Sequence, residues 1–196
     1  CWVKLCELLP EFQNGVSSRG DKDGKPIVVL RLADITSRRI DLSDTRALPI
    51  ELSAVNKYKI EVGDILIIRV NGSSDIVGQF IPCDIPIDAI YCDHFIRMRI
   101  SPKLYDFEFL SLIGSSDLIR SRIKDLFITT AGQKTVNQGH LGSLQIPLLC
   151  VAEQRRIVIK VNELMSLCDH LKSRITESSQ LKQKLADALV TQALTA

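Results

Sequence analysis

The residues best suited to chemistry are Cys92, Asp93 and His94, which offer a thiol, a carboxylate and an imidazole in consecutive positions. These are donor types that zinc and related metals prefer. Adjacent side chains cannot generally converge on one ion, however, and the six cysteines form no CxxC pair or knuckle spacing. We therefore expect no metal site and no disulfide framework, and we expect free thiols in a reducing cytoplasm.

The sequence lacks the common catalytic motifs. It contains no Walker-type phosphate loop, no GxGxxG, no HExxH and no GxSxG. The three histidines are scattered, and no two carboxylates have a spacing that suggests general acid/base work. We predict no catalytic residue, and a binding or scaffold module is favoured over an enzyme.

The charge distribution argues against coating of nucleic acid by bulk charge. The whole chain has 25 Lys and Arg against 23 Asp and Glu. Residues 1–150 carry 18 of each sign, and the remaining residues carry seven basic and five acidic side chains. Any contact with nucleic acid must therefore come from a local cluster of side chains.

Short β-branched or alternating runs predict the strands that would position such a cluster. These runs occupy 27–32, 40–44, 65–70, 76–81, 89–91 and 95–100. The polar residues 71–75 predict a hairpin-like loop between two of the runs. Within the last run, alternation with apolar residues places Arg97 and Arg99 on one face of the sheet.

The pattern changes after residue 104. Apolar residues at helical spacing predict helices within 104–129, and a long polar loop is expected at 129–139. An extended segment at 144–147 then leads into the last part of the chain. These elements indicate an α+β fold, a globular mixed α/β domain followed by one long coiled-coil-forming helix.

That helix is predicted for residues 150–196, which contain no Pro or Gly. At 1.5 Å per residue it would be about 65 Å long. Its apolar residues follow a coiled-coil spacing, with a phase shift after Ile175. The predicted pairing seam consists of Ile157, Val161, Leu164, Cys168, Leu171, Ile175, Leu181 and Leu185. A single helix cannot bury such a seam, so a partner helix is required, and a plain dimerisation arm is one interpretation.

The organisation is therefore one domain at 1–149 and one helical arm at 150–196. A head of this size can form a real hydrophobic core. No apolar run approaches the length of a bilayer crossing, so no membrane partner is expected. The first residue is Cys1, which suggests a fragment or a processed chain.

Several segments resemble the specificity subunits of Type I restriction-modification systems. The run IPLLCVAEQRRIV at 146–158 is similar to the junction I-P-L-P-P-L-x-E-Q-x-R-I-V that precedes a spacer helix in that family. Leu149 and Cys150 stand where the family usually has two prolines. Upstream segments occur in the family's order, namely 2–5, 29–35, 58–66 with Arg69, Val77-Gly78 and 132–137.

The resemblance implies a division of labour. The domain at 1–149 would read one half of a split target in double-stranded DNA, and the helix would fix the distance to the other half. Modification subunits would methylate adenine with S-adenosylmethionine, and a restriction subunit would complete the complex. This chain would bind no cofactor and catalyse nothing. Complete subunits resemble this unit given twice, so the partner helix would come from a second copy or from a second half of the same subunit.

Under this interpretation, the DNA contacts come from arginines on strands and from polar loops. Arginine can bind guanine O6 and N7, and Asn or Gln can pair with adenine N6 and N7. The predicted DNA-binding residues are Arg31, Arg69, Asn71, Ser73, Ser74, Arg97, Arg99, Gln133, Lys134, Thr135 and Asn137.

Other roles remain open for some of these residues. Arg31 and Arg69 could be structural ion-pair partners, Asn71 could be only a turn former, and Lys134 could contact phosphate alone. A rival hypothesis for the whole chain is a coiled-coil scaffold whose head binds protein and no nucleic acid. The salt dependence of DNA binding would separate the two.

Overall fold

A computed structural model describes residues 1–17 and 24–195, and it has the predicted mixed α/β class with one long C-terminal helix. The chain divides into two compact units, Cys1–Arg155 and Arg156–Ala196. The strands are β1 (Trp2–Lys4), β2 (Glu11–Asn14), β3 (Lys25–Leu30), β4 (Ile35–Thr36), β5 (Arg39–Ile40), β6 (Ala47–Ile50), β7 (Ile65–Ile68), β8 (Val70–Asn71), β9 (Phe80–Pro82), β10 (Ala89–Tyr91), β11 (Phe95–Arg99), β12 (Ile128–Thr130), β13 (Gln133–Thr135) and β14 (Gln145–Pro147). The α-helices are α1 (Leu52–Tyr58), α2 (Phe107–Gly114), α3 (Asp117–Asp125), α4 (Gln138–Gly142) and α5 (Val151–Thr195).

The central sheet of the first unit is antiparallel, with strand order β2-β11-β7-β9. All four residues of β7, an unbroken Ile-Leu-Ile-Ile run, are buried. A second sheet has the order β10-β3-β6, in which β10 runs parallel to β3. Leu30 of β3, Leu66 of β7 and Phe95 of β11 belong to one buried cluster, which joins the two sheets into a single core.

The predicted strands at 89–91 and 95–100 are confirmed, and the extended segment before the long helix is β14. The predicted hairpin partner of β7 is shifted, because residues 76–79 form a turn and the pairing strand is β9. The prediction of a long polar loop at 129–139 is wrong. Strands β12 and β13 form a hairpin there, closed by Ala131 and Gly132 with φ of 49° and 80°. Two consecutive left-handed residues give the turn that matches strand twist.

The start of α5 is fixed within the first unit by residues of the junction motif. Gln154 is fully buried, and its Oε1 accepts a hydrogen bond from the Asp106 backbone N–H at 2.7 Å. Its Nε2 donates to the Leu149 carbonyl at 2.8 Å. Arg155 Nε lies 3.2 Å from Asp106 Oδ2. Gln154 of the Glu-Gln-x-Arg signature, together with Arg155 at the x position, therefore anchors the helix start.

Beyond this anchor, α5 is one uninterrupted helix, as the sequence predicts. It spans 45 residues, or about 67 Å at 1.5 Å per residue. Its large apolar side chains are exposed along the predicted seam: Leu164 50%, Leu171 47%, Ile175 69%, Leu181 59% and Leu185 56%. Ile157 and Val161 are half-buried, and Cys168 is exposed. None of the helices in the described part of the chain combines the length and hydropathy that a bilayer crossing requires.

Candidate nucleic-acid interface

The loop at residues 71–79 is folded by its own polar side chains. Asn71 Oδ1 accepts a hydrogen bond from the Ser73 backbone N–H at 2.9 Å, and Ser73 Oγ accepts one from the Asp75 backbone N–H at 3.2 Å. The Asn71 carboxamide oxygen and the Ser73 hydroxyl therefore form turns, which is the alternative that the sequence left open. Ser74 is half-buried, and its carbonyl accepts a bond from Arg120.

Arg120 on α3 holds this loop from outside. Its Nη1 donates to the Val77 carbonyl at 3.0 Å, and its Nη2 donates to the carbonyls of Ser74 and Asp75, each at 3.1 Å. Burial lowers the pKa of the Arg120 guanidinium. Gly78 closes the loop with φ of +72°, and a Cβ there would lie 2.4 Å from Ile123 Cγ2. The loop is therefore packed tightly against α3.

The β12–β13 hairpin lies beside this loop because β13 pairs with β8. In that register Lys134 is opposite Asn71, and Thr135 is opposite Val70. Lys134 Nζ donates to the Gly72 carbonyl at 2.9 Å. Gln133 is exposed at the tip. The structure thus brings together two sets of predicted residues that are about sixty positions apart in the sequence. Asn137 has a different role as the N-cap of α4, where its Oδ1 accepts a hydrogen bond from the His140 backbone N–H.

Two adjoining clefts extend this surface across the domain. One, of about 420 Å³, is lined among others by Arg38, Asn71 and Gln79. The other, of about 530 Å³, is lined among others by Arg31 and His94, and both clefts include Leu32 and Ala33. We refer to the β4–β5 turn, the loop at 71–79, the β12–β13 hairpin and these clefts as the candidate face.

Arg31 and Arg69 are engaged within the domain. Arg31 Nη2 lies 2.7 Å from Oδ1 of the buried Asp34 and donates to the Asp44 carbonyl at 3.0 Å. The hydrogen bond from Asp34 raises the pKa of Arg31. Arg69 Nη1 donates to the Asp93 carbonyl at 3.1 Å. Arg31 thus has the structural ion-pair partner that the sequence allowed as an alternative, whereas Arg69 donates to a backbone carbonyl.

The prediction that Arg97 binds DNA is wrong for this structure. Its residue is 3% exposed, and its guanidinium pairs with Glu11 of the neighbouring strand and donates to the Lys59 carbonyl at 3.3 Å. Arg99 is also engaged, since its Nε and Nη2 donate to the two carboxylate oxygens of the buried Asp64 at 2.6 and 2.8 Å. Those hydrogen bonds raise the pKa of Arg99. The alternation of apolar residues with arginine in β11 correctly placed both arginines on one face of the sheet. That face is covered by Glu11 and by residues 59–64.

Arg38 is a candidate that the sequence analysis missed. It forms the two-residue β4–β5 turn with Ser37, and both residues have left-handed backbones, with φ of 61° and 51°. Arg38 is exposed at the rim of the 420 Å³ cleft, and its guanidinium has no ion-pair or hydrogen-bond partner among residues 1–17 and 24–195. A left-handed conformation costs a non-glycine residue about 1 kcal/mol. No turn signal such as Asn-Gly marks this position, so local sequence pattern did not identify it.

Contrary to the prediction, the side chains of Cys92, Asp93 and His94 converge. Their donor atoms all lie within 4.8 Å of one another. The tight turn between β10 and β11 brings them together, because the Phe95 N–H donates to the Cys92 carbonyl at 3.1 Å. Burial raises the pKa of the Cys92 thiol.

The fold and this face define a mixed α/β binding module that leads into one long helix. Over 192 residues the chain is 32% identical to the Type I restriction enzyme StySPI specificity subunit of Salmonella potsdam, covering 97% of this chain and 42% of that protein. The HsdS subunit of Thermoanaerobacter tengcongensis has the same fold over 94% of this chain and 46% of its own, with a TM-score of 0.67 and 19% identity. A chain from a structure of type I R-M complex assembly matches with a TM-score of 0.62 and 17% identity, over 93% of this chain and 43% of that one.

The chain is therefore similar along nearly its whole length to Type I restriction enzyme specificity subunits, and it spans about two fifths of the length of the relatives it matches. No protein-family model matches it.

Proposed function

We propose that this chain is the part of a Type I restriction-modification specificity subunit that reads one half of a bipartite DNA target. The observation that carries the proposal is the similarity to one such subunit along nearly the whole chain. The candidate face supplies a surface for that role. It combines polar and basic side chains on two hairpin turns and one loop. The domain that carries this face has an overall charge close to neutral.

The tip of the β12–β13 hairpin, which extends beyond the pairing of β13 with β8, is proposed to read bases directly. The major groove of B-DNA admits a two-stranded ribbon, and the exposed Gln133 at the hairpin tip has an amide that can pair with adenine. Lys134 lies one residue further from the tip with its ammonium against a carbonyl, which suits a phosphate contact. Arg38 lines the 420 Å³ cleft together with Asn71 and Gln79, and its guanidinium, unpaired among residues 1–17 and 24–195, would bind a second phosphate.

The long helix is proposed to set the distance to the other half-site. Its exposed Leu164, Leu171 and Ile175 form an apolar stripe that a second helix of the same kind would cover. That helix would belong to a second copy of this chain or to the second half of a longer subunit.

The chemistry is assigned to partners. Modification subunits that use S-adenosylmethionine would methylate adenine, and a restriction subunit would cleave, while this chain would act without a catalytic residue or cofactor of its own. The weak net charge of the head fits this division, because partner subunits would supply most of the phosphate clamp. A protein that reads chromosomal DNA in this way acts in the cytoplasm.

The proposal predicts that exchange of residues 1–149 for an unrelated recognition domain changes one half of a split methylated motif and leaves the other half unchanged. The measurement is a genome-wide map of methylated adenines in cells that carry the cognate modification subunit. The matched control exchanges residues 150–196 and keeps the head, which should preserve the half-site sequence. A methylation pattern indifferent to the head exchange would contradict the proposal and favour the protein-binding scaffold.

Arg38→Ala is expected to weaken binding to target and scrambled duplexes by the same factor. Loss of one phosphate contact should also reduce the slope of log affinity against log salt by about 0.9. Fluorescence anisotropy with labelled duplexes, in the complex with the modification subunit, measures both quantities. The control is Arg39→Ala, since Arg39 is exposed on the same hairpin but pairs with Asp84 at 2.9 Å. A loss confined to the target duplex would instead make Arg38 a base-reading residue.

A further inference from the structure

We propose that Cys92, Asp93 and His94 form a zinc site at the edge of the candidate face. The ligands would be Cys92 Sγ, Asp93 Oδ1 and His94 Nδ1, with the fourth position open to the 530 Å³ cleft and filled by water. The inference is independent of the proposed function, since it concerns metal binding by the free chain.

The distances between donor atoms match a tetrahedral metal. Zinc binds sulfur at about 2.3 Å and imidazole nitrogen or carboxylate oxygen at about 2.0 to 2.2 Å, so at tetrahedral angles S···N is about 3.6 Å and N···O about 3.4 Å. Cys92 Sγ lies 3.7 Å from His94 Nδ1, and His94 Nδ1 lies 3.2 Å from Asp93 Oδ1. Two of the three donor pairs therefore already lie near tetrahedral spacing, and all three donor atoms lie within 4.8 Å of one another.

The backbone holds the three residues in place through separate partners. The Cys92 N–H donates to the Leu30 carbonyl at 3.0 Å, and the Asp93 N–H donates to the Val16 carbonyl at 3.0 Å. The His94 carbonyl accepts from the Arg69 N–H at 2.7 Å. Because the backbone is already held in place, the ligands lose less conformational entropy on metal binding than the ligands of a flexible site would.

The surroundings tolerate a cation. Arg31 lines the same cleft, and its charge is matched by Asp34 at 2.7 Å. The guanidinium of Arg69 also lies nearby, where it donates to the Asp93 carbonyl at 3.1 Å and leaves the Asp93 carboxylate available. A thiolate, an imidazole and one carboxylate favour zinc over magnesium or calcium, which prefer oxygen ligands alone. Binding would release the thiol proton, and the two anionic ligands would then balance the charge of the ion.

The same tripeptide occurs again as Cys168, Asp169 and His170 in α5, and it serves as an internal comparison. Consecutive side chains on an α-helix point about 100° apart and do not face each other. All three residues there are exposed, and Asp169 lies 3.7 Å from Lys172 Nζ. Identical sequence thus gives a converging donor set on the turn and a diverging one on the helix.

The test is a titration of the untagged, reduced chain of residues 1–196 with Co²⁺, followed by displacement with Zn²⁺. We expect one Co²⁺ per chain, a thiolate-to-cobalt charge-transfer band, and loss of that band on addition of Zn²⁺. Cys92→Ser should abolish the band, and His94→Asn should lower the affinity by at least about tenfold, since even outer-shell changes cost that much. Cys168→Ser and His170→Asn should bind like the unaltered chain.

Three results would overturn the proposal: no thiolate band in the unaltered chain, equal binding by Cys92→Ser, or loss of binding in Cys168→Ser. Circular dichroism of the metal-free variants shows whether each is folded. His94 has a side chain that is 49% exposed, so His94→Asn keeps the test valid even if Cys92→Ser unfolds.

Discussion

Replacement of Arg120 by alanine is expected to lower the free energy of unfolding by about 2 to 3 kcal/mol and DNA affinity by at least about tenfold. The variant removes three charge-assisted hydrogen bonds to the carbonyls of Ser74, Asp75 and Val77. These carbonyls belong to the loop that presents one side of the candidate face, so the loop would lose its position. The thermal midpoint should fall by about 6 to 9 °C, measured by circular dichroism.

Lys124→Ala is the matched control for Arg120. Lys124 lies one helical turn further along α3 and pairs with the side chain of Asp75, but both partners are exposed. The hydrogen bond from Lys124 lowers the pKa of Asp75. An exposed pair contributes little to stability, so Lys124→Ala should leave the midpoint unchanged. If the two variants lose DNA affinity equally while Arg120→Ala keeps full stability, Arg120 acts by its charge and does not position the loop.

Asp64→Ala is expected to destabilise the domain by about 3 kcal/mol, which corresponds to a fall of about 9 °C in the thermal midpoint. Asp64 is 1% exposed, and its carboxylate accepts two bonds from Arg99 and one from the Glu61 backbone N–H at 2.8 Å. Removal of the carboxylate leaves these donors unmatched beside the core. The turn that leads into β7 would lose its main side-chain contact.

Glu61→Ala tests the assignment with the same arginine. Glu61 Oε2 lies 3.2 Å from Arg99 Nη1, but its side chain is 58% exposed. This variant should change stability by no more than about 0.5 kcal/mol. If urea unfolding showed equal losses in the free energy of unfolding for the two variants, the contribution of the Asp64–Arg99 ion pair would not depend on the burial of Asp64.

Periodic burial made much of the fold predictable. The helix at 150–196 and the strands around 65–68 and 89–99 were indicated because apolar spacing follows directly from which face is covered. The β12–β13 hairpin was missed because its residues are polar, and its stability comes from pairing with β8, far away in the sequence. Local pattern contains no information on such a partner.

The candidate site was less predictable for the same physical reason. The environment of Arg97 depends on Glu11, 86 positions earlier, and no property of its own strand shows that this face is covered. Cys92-Asp93-His94 and Cys168-Asp169-His170 are the same tripeptide, but the side chains converge in the first and not in the second. The difference arises from the backbone conformation, which is a turn in the first case and a helix in the second.

The anchoring of the loop at 71–79 through carbonyl oxygens has a consequence for how such a surface can evolve. Every amino acid has a carbonyl, so the bonds from Arg120 to positions 74, 75 and 77 make no demand on the side chains at those positions. Mutations at 74 and 75 can therefore accumulate with little effect on the shape of the loop, which is maintained by Asn71 and Ser73 within it and by Arg120 on α3. On such a surface, the positions that can change are different from the positions that maintain the fold. New binding preferences can therefore arise there without loss of the fold.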